Sequence, residues 1–448
     1  MVEVRANRLA TSTRSSDAKV RFPSLSDLDR EQRRIYGEAP ADGAILVLGP
    51  PGTGKTVMAF HRAQKLEKLG QSPHVIMFNK VLAKYTSNRS DVAPKVGVST
   101  MHSWAGKWWR RATGSWPPTI AGDQWSHDWS EICARALNAV HNGASRRFTW
   151  GHLIIDEGQD FPPQMYMTLG MMLKQMEAHG SAAQITIFAD DNQRLQADRN
   201  SRIKDIKNFL FIGGAADRIF SLKKNFRNTR PIAAFAKHFQ VGNESGIAEL
   251  PEEEGENPQV VFAANDRDIA DFIARKTKIN PGKQVGVIVF GGSADVKRAY
   301  NQGKMRISEL AKPPGLQMYL SGHKTHTDEA LDFESGNTIT FLHAQSAKGL
   351  EFDIVFLLGM EGMSVDTSGF FNERMALYVM SSRARSELYI AFKDIDPDAG
   401  LPASCRLLPR PSVNLCRYVG LGSLEQSVSV FENCIEENDD FEALEAVE

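Results

Sequence analysis

The chain has 448 residues, 42% hydrophobic and 24% charged, with a net charge of −1, a length that asks for two or three domains. No apolar run approaches the ~20 residues of a membrane span, and the polar first residues hold no signal-peptide core, so a cytoplasmic protein with no membrane attachment is expected. The four cysteines, Cys133, Cys405, Cys416 and Cys434, lack the C-x-x-C spacing of a zinc site and point to no disulfide framework.

The near-neutral total hides two opposed ends. Residues 1–21 hold five basic residues against two acids, whereas Phe431 onward holds eight acids and no Lys or Arg. Residues 1–23 are rich in Ser, Thr and Arg and read as a flexible basic arm. A helix opens near Leu28, capped by Ser26 or Asp27. It carries Gln32, whose amide can pair with both the donor and the acceptor edge of adenine.

The apolar run Ala44–Leu48 then feeds into Gly49-Pro50-Pro51-Gly52-Thr53-Gly54-Lys55-Thr56, followed by Val57–Phe60 at helical pitch. Strand, glycine loop and helix are the setting of a phosphate-binding loop. Gly49, Gly52 and Gly54 let backbone N–H groups close on an anion. Lys55 reaches the β- and γ-phosphates, the Thr56 hydroxyl holds Mg²⁺, and the helix N-terminus adds its dipole. ATP and Mg²⁺ are the expected ligands.

His74–Asn79 and Val96–Ser103 read as strands with polar ends. In an open parallel sheet such ends form the ligand rim, which places Asn79, Thr100 and His102 together. All seven tryptophans fall in residues 104–150, interleaved with arginines. Trp104/Trp108 and Trp125/Trp129 are i, i+4 pairs. They read as the core of a small helical insert, as a stacking platform for single-stranded bases, or as one role for some tryptophans and the other for the rest.

His152–Asp160 is a buried-type strand ending in paired acids. Asp156 is placed to hold Mg²⁺ through its water shell, and Glu157 to align and deprotonate a water. Ile185–Gln193 offers Gln193 as a γ-phosphate sensor, and Ile219–Arg227 offers the flat ring of Phe226 and the fixed charge of Arg227. A second strand–helix series begins near residue 257: Val260–Phe262, Val285–Phe290, Thr338–Leu342, Ile354–Leu358 and Leu388–Phe392. Residues 301–335 read as a loop or small insert, and no periodicity is evident beyond 395. Two tandem parallel-sheet α/β domains follow, over about 24–222 and 223–395, with an extension over 396–448 that ends in an acidic, disordered tail.

Taken in order from Leu28 to Phe392, these stretches resemble superfamily 1 helicases of the UvrD/Rep type, in a compact form. Gln32 matches the adenine-reading motif, Lys55 and Thr56 motif I, Asp156-Glu157-Gly158-Gln159-Asp160 motif II, and Gln193 motif III. Phe226-Arg227 matches motif IV, Lys348-Gly349-Leu350-Glu351-Phe352 motif V, and Glu373–Ala384 motif VI. The resemblance implies two RecA-like P-loop NTPase domains with ATP between them. It also implies adenine stacking on Phe226, ribose binding by Glu351 with Gly349 beside it at the nucleotide, and γ-phosphate contacts from Arg227 and an arginine finger, Arg383. Nucleic-acid contacts are implied for Phe78, Asn79, Thr100 and His102, with the adjacent Trp104. The implied activity is ATP-driven 3′-to-5′ movement on single-stranded nucleic acid, DNA in preference to RNA.

The chain departs from the family at three places. Residues 194–199 lack the base-stacking aromatics of motif III, Gln345 stands where motif V has a His, and the large insert between motifs IV and V is reduced or absent. These departures give a second reading: an ATP-gated switch or motor subunit whose accessory functions come from a protein partner.

Overall fold

The computed structural model describes residues 23–78, 96–180, 183–194, 200–242, 244–321, 323, 325–327, 331–332, 336–363 and 371–437. The basic arm through residue 22, the candidate Asn79 and the acidic tail from residue 438 lie outside the described residues.

In chain order the strands are β1 (Ala44–Leu48), β2 (Pro73–Met77), β3 (Gly97–Thr100), β4 (Thr119–Ile120), β5 (Asp123–His127), β6 (Gly151–Ile155), β7 (Ala183–Ala189), β8 (Ile219–Ser221), β9 (Gln259–Phe262), β10 (Val285–Val289), β11 (Gly315–Tyr319), β12 (Thr338–His343), β13 (Phe352–Leu358), β14 (Ala384–Phe392) and β15 (Arg417–Gly420). The first sheet runs β3-β2-β6-β7-β1-β8 and the second β11-β12-β10-β13-β14-β9-β15, with every pairing in both parallel. The chain is therefore two tandem parallel-sheet α/β domains, as the RecA-like P-loop fold requires.

Central strands such as β1 and β10 are buried along their whole length. That explains why they read as unbroken apolar runs: helices cover both faces of such a sheet. Each buried aliphatic side chain in them stabilises the fold by about 1.5–3 kcal/mol. One apolar cluster continues from Val47 and Phe60 in the first domain through Ile232, Phe235 and Phe239 to Leu357 and Ile390 in the second. Ile232 and Phe235 lie on helix Arg230–His238 and Phe239 caps its C-terminus; the helix begins with Thr229 at the N-cap and Pro231 in its first turn, where a missing N–H costs nothing.

Two strands of the second sheet have no counterpart in the sequence reading. The 301–335 stretch contains β11, paired with β12 from Gly315↔Thr338 to Tyr319↔Leu342. Beyond residue 395, β15 pairs with β9, and Phe431 and Tyr418 pack on Phe262 at centroid distances of 4.7 and 6.2 Å. Residues 403–436 are thus built into the second domain. Among the described residues no helix is long and apolar enough to cross a membrane.

The tryptophan-rich insert is only partly helical. Helix Met101–Thr113 and helix Trp129–Ala139 flank the antiparallel hairpin β4–β5. Trp104, Trp108, Trp109, Trp129 and Trp150 are buried. Trp104 stacks on Trp108 at 5.4 Å, and the Trp108 and Trp150 indole N–H groups donate to the Phe148 and Gln184 carbonyls, each at 3.0 Å. Trp104 is therefore a core residue, a correction to its candidacy as a base contact. The i, i+4 spacing that put it beside Trp108 places both on one helix face, and that face is buried.

Candidate active site

The carboxyl ends of β1, β6 and β7 meet at one edge, where open α/β sheets hold their ligands. The loop after β1 is drawn tight. Thr53 Oγ1 donates to the Pro50 carbonyl at 2.8 Å. Gly52 and Gly54 have φ of +79° and +83°, which only glycine adopts without strain. A Cβ on Gly52 would overlap the Asn225 amide, and one on Gly54 would come within 2.7 Å of Gln32 Nε2. Lys55 is buried, its Nζ donating to the Gly49 and Pro50 carbonyls at 2.6 and 3.2 Å. An incoming phosphate would have to replace these carbonyls as its partners.

Gln32 also faces this loop. Its Nε2 donates to the Thr53 carbonyl at 3.2 Å, and its Oε1 accepts from the Asp29 N–H at 3.2 Å. The Asp29 carboxylate in turn caps the helix by accepting from the Gln32 N–H at 2.7 Å. Both edges of the Gln32 amide are thus engaged by backbone, and adenine recognition would have to displace those bonds. The cap is Asp29, not Ser26 or Asp27.

Thr56 Oγ1 donates to Asp156 Oδ2 at 2.7 Å, across a hundred residues of sequence. Asp156 is fully buried, and its Oδ1 has no hydrogen-bond partner. Burial, with the Glu157 charge beside it, pushes its carboxyl up to about 7. A hydroxyl and a carboxylate aimed together, with one buried oxygen unsatisfied, fit a hard divalent cation such as Mg²⁺. Glu157 behaves in the opposite way. Burial raises it, but Lys55, Lys348 and Arg383 and a 2.7 Å bond from Gln159 Nε2 more than reverse that and hold it at about 2. Its φ of 53° lies in the left-handed region. Such strain in a residue with a Cβ persists only where the surroundings enforce it, as functional sites do.

The second domain closes on this edge with three cations. Arg383 is buried at the end of helix Phe371–Ser381. It donates to Gln193 Oε1 at 3.0 Å, to the Val379 carbonyl at 2.8 Å and to Ser382 Oγ at 2.9 Å. Burial, with Arg227 nearby, lowers its guanidinium to about 9. Gln193 is held in turn by its Nε2 on Asp190 Oδ2 at 2.7 Å. Lys348 crosses to the first domain: its Nζ lies 2.5 Å from Asp160 Oδ1, with both side chains almost fully buried, and it also donates to the Gln193 carbonyl. Arg227 Nε donates to Glu351 Oε2 at 2.9 Å, and Glu351 also pairs with Arg385.

Glu351, expected at a ribose, is therefore an ion-pair partner of Arg227 in this conformation. Gly349, next to Lys348, takes a φ of +81°. Phe226 is half-exposed, with its N–H on the Gly52 carbonyl at 2.9 Å and Lys224 Nζ 5.4 Å from its ring. Lys348, Asp160, Arg385 and Asn225 were absent from the candidates. Asp160 and Lys348 were visible as ends of quoted motifs, but only the fold shows that they meet.

On the strand rim, Phe78 is exposed after β2, its ring edge-on to Phe161 at 6.3 Å. Thr100 caps helix Met101–Thr113, accepting from the Ser103 N–H at 3.4 Å. His102 is exposed, with Nε2 2.8 Å from the Trp125 carbonyl oxygen. A further cavity of ≈ 290 Å³, lined by Phe290, His343, Gln345, Met363 and Met380, opens where β10, β12 and β13 end.

A family model described as an AAA domain matches residues 32–198, the span from Gln32 past Gln193. The matched span takes in the phosphate-binding loop, the paired acids and Gln193. No curated protein sequence matches the chain. The solved structures that match include the C-terminal domain of a possible DNA helicase from Lactobacillus plantarum WCFS1. It is 21% identical over 43% of this chain and 98% of that chain, with a TM-score of 0.30.

Proposed function

We propose that this chain is an ATPase motor on single-stranded nucleic acid, DNA in preference to RNA, of the superfamily 1 helicase type. One observation carries the reading: a P-loop and paired acids from the first domain are faced across the cleft by Arg227, Lys348 and Arg383 from the second. A binding-only phosphate loop has no need of that second shell of cations.

In this reading Lys55 exchanges its loop carbonyls for phosphate oxygens, and Phe226 offers its exposed face to the base. Thr56 and Asp156 would hold Mg²⁺, which would act as a Lewis acid on the phosphate oxygens. Glu157, kept ionised by the cations around it, orients the attacking water and accepts its proton. Arg227 leaves Glu351, and Arg383 uses the donors not spent on Gln193; together they neutralise charge that develops on the γ-phosphoryl group. Loss of that group removes the anion both arginines share, and the cleft is free to reopen. With Phe78, Thr100 and His102 against a strand, opening and closing becomes movement.

The direction is testable with end-blocked strands. A motor running 3′ to 5′ displaces streptavidin from a 5′-biotinylated oligonucleotide in ATP and leaves it on a 3′-biotinylated one. Displacement only from the 3′ end would reverse the assignment, and displacement from neither would count against a motor.

A further inference from the structure

Two tryptophans of the insert stand apart from the other five. Trp116 and Trp125 are 71% and 77% exposed, while Trp104, Trp108, Trp109, Trp129 and Trp150 are 6% exposed or less. A single exposed apolar residue needs no explanation; two large rings left in water beside a well-filled core do.

The Trp125 backbone and the Trp116 ring meet one line along helix Met101–Thr113. His102 Nε2 meets the Trp125 carbonyl oxygen at 2.8 Å. The Trp116 ring lies against Gly106, where a Cβ would come within 3.1 Å of it, and Arg110 sits 5.5 Å from its centroid. Positions 102, 106 and 110 are four apart, so they share a face and climb about 6 Å per step. A glycine inside a helix costs about 1 kcal/mol relative to alanine; here it lets an indole lie on the helix. The line begins at the rim, directly after Thr100 at the end of β3.

The surroundings are cationic. Lys107, Arg110, Arg111, Arg146 and Arg147 are exposed, and none of them is in an ion pair among the described residues. The acids of the insert are spent locally. Asp128 caps helix Trp129–Ala139, Glu131 pairs with Arg135, and Asp123 accepts from the Trp125 N–H and Ser126 Oγ.

We infer that Trp116 and Trp125 form a base-stacking platform that extends the strand rim up the insert, with the five cations following the phosphates of single-stranded DNA. The inference rests on the nucleic-acid reading above and adds a site to it. Exposed indoles stack on any base, and a basic track supplies sequence-independent affinity, so the platform holds a strand without reading it.

The test measures binding of a fluorescein-labelled oligothymidylate of about 20 nucleotides to the full chain by anisotropy over a salt series. Trp116→Ala and Trp125→Ala each weaken binding about tenfold, as the loss of one stacked base does, with unchanged salt dependence. Trp→Phe at both positions keeps most of the affinity, and the unfolding midpoint stays at the wild-type value because neither ring is in the core. Arg110→Ala lowers the slope of log affinity against log salt by about one. Wild-type binding that the double alanine variant retains in full would overturn the platform and leave the nucleic-acid reading standing. A wild-type chain that binds neither oligothymidylate nor oligouridylate would overturn both.

Discussion

Lys348 is the residue at which the two domains are most directly joined. Its ammonium and the Asp160 carboxylate are buried together at 2.5 Å, and burial pushes Asp160 up to about 7 even with that partner. Removing one half of such a pair leaves the other charge without compensation, at a cost of about 3 kcal/mol or more. Lys348→Met is therefore expected to lower the urea midpoint sharply, and adding Asp160→Asn to restore part of the loss. A double variant no more stable than the single would show that the pair is not coupled. His152 carries a second prediction at this scale. Its ring nitrogens meet Gln71 Oε1 and Thr186 Oγ1, each at 2.8 Å, and burial, with Arg62 nearby, drives its pKa down from 6.5 to about 3. Between those values the unfolded chain takes up a proton and the folded chain does not. The neutral ring's contribution is thus complete above pH 6.5 and is lost as pH falls toward 3, at about 1.4 kcal/mol per pH unit. His152→Gln should flatten the fall in unfolding midpoint between pH 7 and 5; an unchanged fall would place the titration elsewhere. The chemistry-bearing residues were legible because loop, acids and arginines sit in short motifs. Their present partners were not, since Lys55 turns onto its own loop carbonyls and Glu351 onto Arg227, 124 residues away.

Among the elements, the insert shows what spacing conveys and what it leaves open. An i, i+4 pair marks a shared helix face but not whether that face is covered: Trp104/Trp108 is buried, whereas Trp125 lies on a strand and shares no helix with Trp129. Trp108→Ala should cost about 3–5 kcal/mol, the range for emptying a large aromatic site in a core. The same substitution at Trp125 should cost almost nothing, as thermal unfolding would show. Equal losses at both would mean that the hairpin is part of the core. The two unread strands of the second sheet share a cause. β11 and β15 lie at the outer edges of the second sheet, and edge strands need not be apolar on both faces. In β11, Gln317 bonds Thr340 Oγ1 at 2.7 Å and the Asp332 carbonyl at 3.0 Å, so a polar residue does a strand's work and masks the period.

For the whole molecule, the central claim is that one nucleotide site, completed by both domains, drives work on a single strand. The apolar cluster that runs between the sheets and the Lys348 and Arg383 crossings join the two sides of the cleft. The tandem parallel sheets were readable because buried parallel strands are unbroken apolar runs. The closure was not, because residues more than 150 positions apart make it. The measurement that tests the claim most directly is the rate of ATP hydrolysis by the purified chain, with and without single-stranded DNA, beside Glu157→Gln. The account predicts a rate that rises at least tenfold with the strand and falls to background in the variant, which still binds nucleotide. A basal rate unmoved by DNA or RNA would contradict the motor and favour an ATP-gated switch that works through a protein partner.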